Sequence, residues 1–283
     1  MPVKIIVDST ADVIPQVRSR VGMVHLSIRF ADEEYIDRIT IDSRTFYEKL
    51  IESDVLPTTS QATPYAFEEA FAEAVNAGFD VVCITCSSRL SGTYQSAVIA
   101  AEAFPGRIHV VDSQTIALGS AILTEYALGL ADAGMDAETI VWKLMQKREK
   151  VRVLAMLDTL EYLKKGGRIS PAVALAGGLL NIKPVVCIEN GEIRMLGKAR
   201  GSRQANNLLV QEIEKAGGVD FSRPVLLGYT GLSDALLQKY IRDSSALWEG
   251  HLESLSVEVV GSVVGTHTGP GAVAVAFFAA DTE

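Results

Sequence analysis

Three loops rich in hydroxyl groups hold the side chains best suited to chemistry or ligand binding. They are Pro57-Thr58-Thr59-Ser60-Gln61-Ala62-Thr63-Pro64, Ser87-Ser88-Arg89-Leu90-Ser91-Gly92-Thr93 and Gly265-Thr266-His267-Thr268-Gly269-Pro270-Gly271. The first two lead into helical patterns, placing hydroxyls and free backbone N–H groups where a helix dipole favours an anion. Helix capping accounts for the same residue types, so the residues alone leave both readings open. Ser91 as nucleophile with His267 as base would make a serine hydrolase, but no third member stands out and no G-x-S-x-G elbow occurs. The nearest candidate, Gly231-Leu232-Ser233-Asp234-Ala235, lacks the second glycine. A phosphate-ester binder would use the same helix N-termini.

Other site signatures fail. Five residues separate Gly191 from Gly197, and Ala199 stands where a Walker A motif needs Ser or Thr. Gly269-Pro270-Gly271 opens no G-x-G-x-x-G ahead of a helix. His25, His109 and His251 have no nearby cluster of carboxylates or thiols, so a histidine metal site is weakly supported. Cys83 and Cys86 form a Cys-x-x-Cys inside a strand-like run. Residues three apart in a strand face opposite sides, so the two thiols are expected to be structural. We expect no cofactor, no metal and no catalytic residue.

The elements that must position these loops follow from periodicity. In the first half, strands at Lys4 to Val7, Asp80 to Thr85 and Ile108 to Val111 alternate with helices. The helices span Pro64 to Gly78, Thr93 to Ala103 and Thr115 to Asp132. Phe67, Ala70, Phe71, Ala74 and Val75 make one apolar stripe. Buried strands alternating with helices predict a three-layer α/β/α domain on a parallel sheet over residues 1–150. The second half predicts helices at Leu157 to Lys165, Gln204 to Ala216 and Ser233 to Ile241. Strands are expected at Val225 to Tyr229, Ser256 to Val264 and Ala272 to Phe278. Pro184 to Ile188 and Glu192 to Leu196 flank Asn190-Gly191, a hairpin signal. Residues 151–283 therefore read as an α+β domain with a mixed sheet, and a ligand is expected between or beside the two domains.

Composition is that of a globular chain: 283 residues, 48% hydrophobic and 22% charged. Three cysteines argue against a disulfide framework. The N-terminus lacks the features of a secretory signal, and the most apolar stretch, Ala172 to Ile188, is broken by Asn181, Lys183 and Pro184. A cytoplasmic protein is expected. The net charge of −9 disfavours nucleic acid as a partner. Lys164 to Arg203 nevertheless carries eight basic residues against Glu189 and Glu192, or +6, flanking the apolar Ala172–Ile182 stretch. That asymmetry fits an anionic membrane surface or an acidic partner, and equally a solvated basic face.

In order along the chain, Asp8-Ser-Thr-Ala-Asp12, Pro57-Thr-Thr-Ser-Gln61, Leu90-Ser-Gly-Thr-Tyr-Gln-Ser96, Leu160-Glu-Tyr-Leu-Lys-Lys-Gly-Gly-Arg-Ile-Ser170, Leu180-Asn-Ile-Lys-Pro184 and Gly265-Thr-His-Thr-Gly-Pro-Gly271 resemble the DegV family. The resemblance implies a fatty-acid-binding protein, similar to the acyl-binding subunit of bacterial fatty acid kinase, which feeds phospholipid synthesis. Such a protein holds a long-chain, palmitate-like acid while a separate kinase phosphorylates the carboxylate. Carried over by motif, Thr59 and Ser91 contact the carboxylate, with Gly92, Thr266 and His267 close by. Arg168 and Arg200 fall where residues facing the kinase or the membrane are expected. The family often has proline where Ala62 stands. By inference, the carboxylate pocket is expected to use hydroxyls and an imidazole, not a buried arginine that would shield it from phosphoryl transfer.

Overall fold

The computed structural model describes residues 1–170 and 181–280. The chain opens with β1 (Val3–Asp8), α1 (Pro15–Arg18), β2 (Gly22–Val24), β3 (Ser27–Phe30), β4 (Glu33–Ile36) and α2 (Ser43–Glu52). Next come β5 (Thr58–Ser60), α3 (Pro64–Asn76), β6 (Asp80–Thr85), α4 (Thr93–Ala101), β7 (Ile108–Asp112), α5 (Leu118–Asp132) and α6 (Ala137–Lys147). The second half holds β8 (Val151–Met156), α7 (Glu161–Lys165), β9 (Ile182–Glu189), β10 (Glu192–Arg200) and α8 (Gly201–Lys215). β11 (Leu226–Tyr229), α9 (Ala235–Asp243), β12 (Ser256–Val259), α10 (Ser262–Thr268) and β13 (Val273–Phe278) complete it.

A parallel sheet runs β2-β1-β6-β7. Its strands alternate buried residues between two helical layers, as the period of two requires. Ile5, Val7, Val82 and Ile84 pack toward α5 and α6. Ile6, Val81 and Cys83 pack with Phe67, Phe71, Ala97 and Ala100 of α3 and α4. The expected three-layer arrangement is therefore present. Thr63 caps α3 by accepting the Ala66 amide at 3.2 Å, with Pro64 in the first turn.

The second sheet is mixed, in the order β10-β9-β8-β13-β11-β12, with β11 and β12 parallel and the remaining pairs antiparallel. Asn190 and Gly191 turn the β9–β10 hairpin at φ 51° and 80°, both in the left-handed region that a tight hairpin turn demands. Leu209, Ile213, Leu237 and Tyr240 of α8 and α9 cover one face of this sheet. Its other face looks toward α5 and the parallel sheet. A third sheet, β4-β3-β5, was not expected from sequence.

Two expectations need correction. Ser256 to Val264 is not one strand: β12 stops at Val259 and α10 begins at Ser262. The β-branched run is overridden by tertiary contacts, since the Tyr47 hydroxyl donates to the Val260 carbonyl at 2.9 Å and the Gly261 amide donates to Asp12 at 2.8 Å. Gly265 lets α10 lie against Tyr47, because a Cβ there would come 2.6 Å from the phenolic oxygen. The Gly265–Gly271 segment is thus mostly helix. The apolar Ala172–Ile182 stretch lies almost wholly outside the described residues.

Asp12 belongs to a buried ionic cluster. Arg38 donates to its Oδ1 at 2.5 Å and lies 3.9 Å from Asp37, while Arg38 also donates to the Ser9 carbonyl. Burial pushes the Asp12 carboxyl up to about 7 despite the guanidinium, and raises Asp37 as well. Removing one member of a buried pair strands the other. Arg38→Ala should therefore cost ~3–5 kcal/mol in urea unfolding. Arg29→Ala, which breaks an exposed pair with Glu34, should cost under ~1 kcal/mol. Equal losses would show that the buried cluster carries no special weight.

Candidate functional site

The carboxyl ends of the parallel strands set the site, where α/β proteins commonly bind ligands. Asp8, at the end of β1, accepts from the Thr10 amide and hydroxyl and from the Cys86 amide at 2.7 Å. One carboxylate thereby joins the loop after β1 to the loop after β6. Burial raises the Asp8 pKa, against the opposing effect of these hydrogen bonds. Asp112, at the end of β7, accepts from the Ser88 amide and hydroxyl. Ser87 donates to the Gly191 carbonyl at 2.7 Å, and Arg89 pairs with Glu192 at 2.8 Å. The Ser87–Thr93 loop is thus held from both sheets.

Around these loops lies a cavity of about 410 Å³. The polar part of the lining includes Thr59, Gln61, Ser91, Arg168 and His267, with Gly92 beside Ser91. The rest is mainly aliphatic, including Val153 and Ala155 of β8, Val186 and Ile188 of β9, Ile193 of β10 and Ala274 of β13. Register explains the second set, because Ala155 opposes both Val186 and Ala274, and Ile188 opposes Ile193, all on one face of the mixed sheet.

Thr59 Oγ1 and His267 Nε2 are 2.9 Å apart, although 208 residues separate them. His267 Nδ1 is buried with no hydrogen-bond partner among the described residues. Burial, and then the nearby Arg168 guanidinium, push His267 down to about 4, so the imidazole is neutral at pH 7. Gly166 makes room for it: a Cβ there would lie 2.2 Å from Nδ1. Ser91 pairs with the Thr93 hydroxyl at 2.9 Å and accepts the Thr93 amide at 3.3 Å at the start of α4. Gly92 leaves room for the Gln61 side chain, whose amide oxygen would sit 2.0 Å from a Cβ. Gln61 in turn donates to Ser96 at 3.0 Å.

Several sequence expectations shift. Thr59 lies on β5, paired to Ile28, and not at a helix N-terminus. Thr266 does not line the cavity; its hydroxyl donates back to the Ser262 carbonyl one turn earlier, and Thr268 faces the cavity instead. Arg168 does line it, so the pocket is not free of arginine as expected; it donates to the Leu90 and Gly166 carbonyls. Arg200 is exposed and away from the cavity lining. The net +6 of the basic segment is partly offset from outside it, since Lys183 pairs with Asp158, while Arg194 pairs with Glu192 within it. Ser91 and His267 are not hydrogen-bonded to each other: His267 engages Thr59 and Ser91 engages Thr93. Gln61 and the β8–β9 lining were not singled out from sequence. Cys83 and Cys86 are buried free thiols. No helix among the described residues is long and apolar enough to cross a membrane.

The model of the DegV family of uncharacterised proteins matches residues 2–280, and the chain belongs to that family. A DegV domain-containing protein of Deinococcus radiodurans is 33% identical over 98% of this chain and 98% of its own length. A DegV family protein from Thermus thermophilus, solved as a fatty-acid-binding structure, is 31% identical with a TM-score of 0.88, covering 99% of this chain and 100% of that one. The Streptococcus pneumoniae fatty acid kinase (Fak) B3 protein, loaded with linoleic acid, is 25% identical with a TM-score of 0.86 over 99% and 100%. The two-sheet arrangement described above is thus the two-domain DegV fold.

The His267 shift has a signed consequence. Its proton is held more weakly in the folded than in the unfolded chain, so it contributes stability that rises as pH climbs from about 4 to 6.5 and is constant above. The unfolding free energy of the parent, minus that of His267→Gln, should rise across that window and then level. A pH-independent difference would mean that the imidazole is not kept neutral by burial.

Proposed function

We propose that this chain binds a long-chain, palmitate-like fatty acid between a domain of residues 1–150 and one of residues 151–283, and presents its carboxylate to a kinase for phosphorylation. The observation that carries the reading is one cavity with an aliphatic wall and a cluster of hydroxyls, imidazole and guanidinium. Burying a tail of ~14 methylenes at ~0.8 kcal/mol each supplies ~11 kcal/mol gross, before ordering costs. The carboxylate then needs donors, or its desolvation would consume that gain.

The hydrogen bonds around the site fit that need. If His267 donates its Nε2 proton to Thr59, the Thr59 hydroxyl proton is free for a carboxylate oxygen. If Thr93 donates to Ser91, the Ser91 proton is free in the same way. Arg168, already committed to two carbonyls, adds charge without wrapping the carboxylate in a forked ion pair. The protein supplies no nucleophile in this reading; the acid is held and shown in the cytoplasm to a separate fatty acid kinase catalytic protein. The exposed Arg200 supports contact with that partner or with an anionic membrane surface.

Two tests follow. In calorimetric titration with palmitate, Ser91→Ala and Thr59→Ala should each weaken binding by ~1–3 kcal/mol, as hydrogen bonds to a charge do. Unchanged affinity in the double variant would reduce these residues to structural roles. Arg200→Ala should keep palmitate affinity yet lose kinase-dependent phosphorylation. The parent's rate should fall with salt, because exposed charges are screened beyond ~8 Å at physiological ionic strength. Parent-like phosphorylation by Arg200→Ala at every salt concentration would remove that residue from the interface.

A further inference from the structure

The mixed sheet that forms the aliphatic wall is not closed. β8 and β9 pair over three positions alone, Leu154↔Cys187, Ala155↔Val186 and Met156↔Val185. β8 nevertheless extends back to Val151 and β9 forward to Glu189. Both strands stay fully paired on their outer edges, β8 to β13 as far as Val151 and β9 to β10 as far as Glu189. Past Leu154 and Cys187 the two strands therefore part. At the hairpin tip, Ser87 holds the Gly191 carbonyl and Arg89 holds Glu192. Those bonds draw the β9–β10 turn to the parallel sheet's loops, while β8 stays with β13.

A second cavity, of about 490 Å³, sits at this parting. Its lining includes Arg148, Arg152, Lys215, Glu149, Glu189 and Glu212, so it is a charged space. Among the described residues the two cavities share two lining residues, Cys187 and Ile188. Strand alternation puts Ile188 on the face of Val186 and Cys187 on the face of Leu154. That neighbours of opposite orientation border both spaces is what an open seam in a sheet produces. None of Thr59, Ser91, Arg168 and His267 lines the second cavity.

We infer that the Cys187–Ile188 step is the end stop of the acyl site and sets the longest tail that the protein accepts, an inference that rests on the fatty-acid reading above. A tail that stays short of the step remains among aliphatic side chains. One that passes it puts its methyl end among charged groups and water, and loses the driving force for burial. Ile188 is the lever because its side chain faces the acyl cavity at a position where β9 pairs with β10 but no longer with β8.

The test is calorimetric titration of delipidated protein with a ladder of saturated acids from about twelve to twenty-two carbons, a span bracketing the ~14-methylene tail considered above. Ile188→Ala removes three carbons from the stop and should move the preferred length up by about two carbons, with at least a threefold gain for the longest acids. Ile188→Phe should move it down by a similar step. Ile188→Val, smaller by one methylene, gives the same direction of shift if Ile188→Ala does not fold. Binding by the parent with the same preferred length in all folded variants overturns the end stop while leaving the fatty-acid reading intact. Failure of the parent to bind any acid in the ladder overturns that reading itself.

Discussion

Asp12 accepts the Gly261 amide at the start of α10 while Arg38 holds the same carboxylate from the turn after β4. This buried contact joins residues 249 positions apart in the chain. It places a short C-terminal helix against Phe46 and Tyr47, within the N-terminal half of the molecule. Helix α10 then delivers His267 to Thr59 and turns Val263, Val264 and Thr268 to the cavity. Without that anchor the imidazole would have no fixed address, and the cavity would lose one wall. Three acidic groups, Asp12, Asp37 and Glu258, act on the one guanidinium. Burial raises the Asp12 carboxyl, while the Arg38 guanidinium and the Gly261 amide favour its charged form.

A second coupling runs through the Ser87–Thr93 loop. Its first residues grip the β9–β10 turn, and its last residues bring Ser91 and Gly92 to the cavity lining. One loop thus supplies part of the polar cluster and holds the hairpin that carries part of the aliphatic wall. A change in the hairpin that disturbs Gly191 would be felt both at the seam between β8 and β9 and at the start of α4. Glycines at 92, 166 and 191 mark the close approaches that make this possible, each facing a polar side chain that a Cβ would strike.

The parallel layer was legible in the sequence because its strands and helices carry strong periodic signals and clear caps, as at Thr63 and Pro64. Thr59, Ser91, Gly92 and His267 stood out through the composition and order of their loops. What was hidden depends on contacts between distant residues. Val259 to Val264 has the composition of a strand, and the contacts with Asp12 and Tyr47 divide it into strand and helix. The inward position of Arg168 is set by the Leu90 and Gly166 carbonyls, which no local pattern announces. The choice of Thr268 over Thr266 follows from helical phase, invisible while the segment reads as a loop. The sheet β4-β3-β5 has short strands of mixed polarity, too weak a signal to register. α6, by contrast, had a readable N-cap in Asp136 and buried Ile140 and Leu144 one turn apart, a signal that was available.

The central claim, that the cavity holds a long-chain fatty acid by its carboxylate, is tested most directly by mass spectrometry of whatever the purified, folded protein releases on denaturation. The account predicts a long-chain acid in near-equal molar ratio to protein from the parent, and a markedly lower yield from the folded Thr59/Ser91 double alanine variant. A folded parent that releases no acyl species, or that releases a phosphorylated small molecule instead, would contradict it.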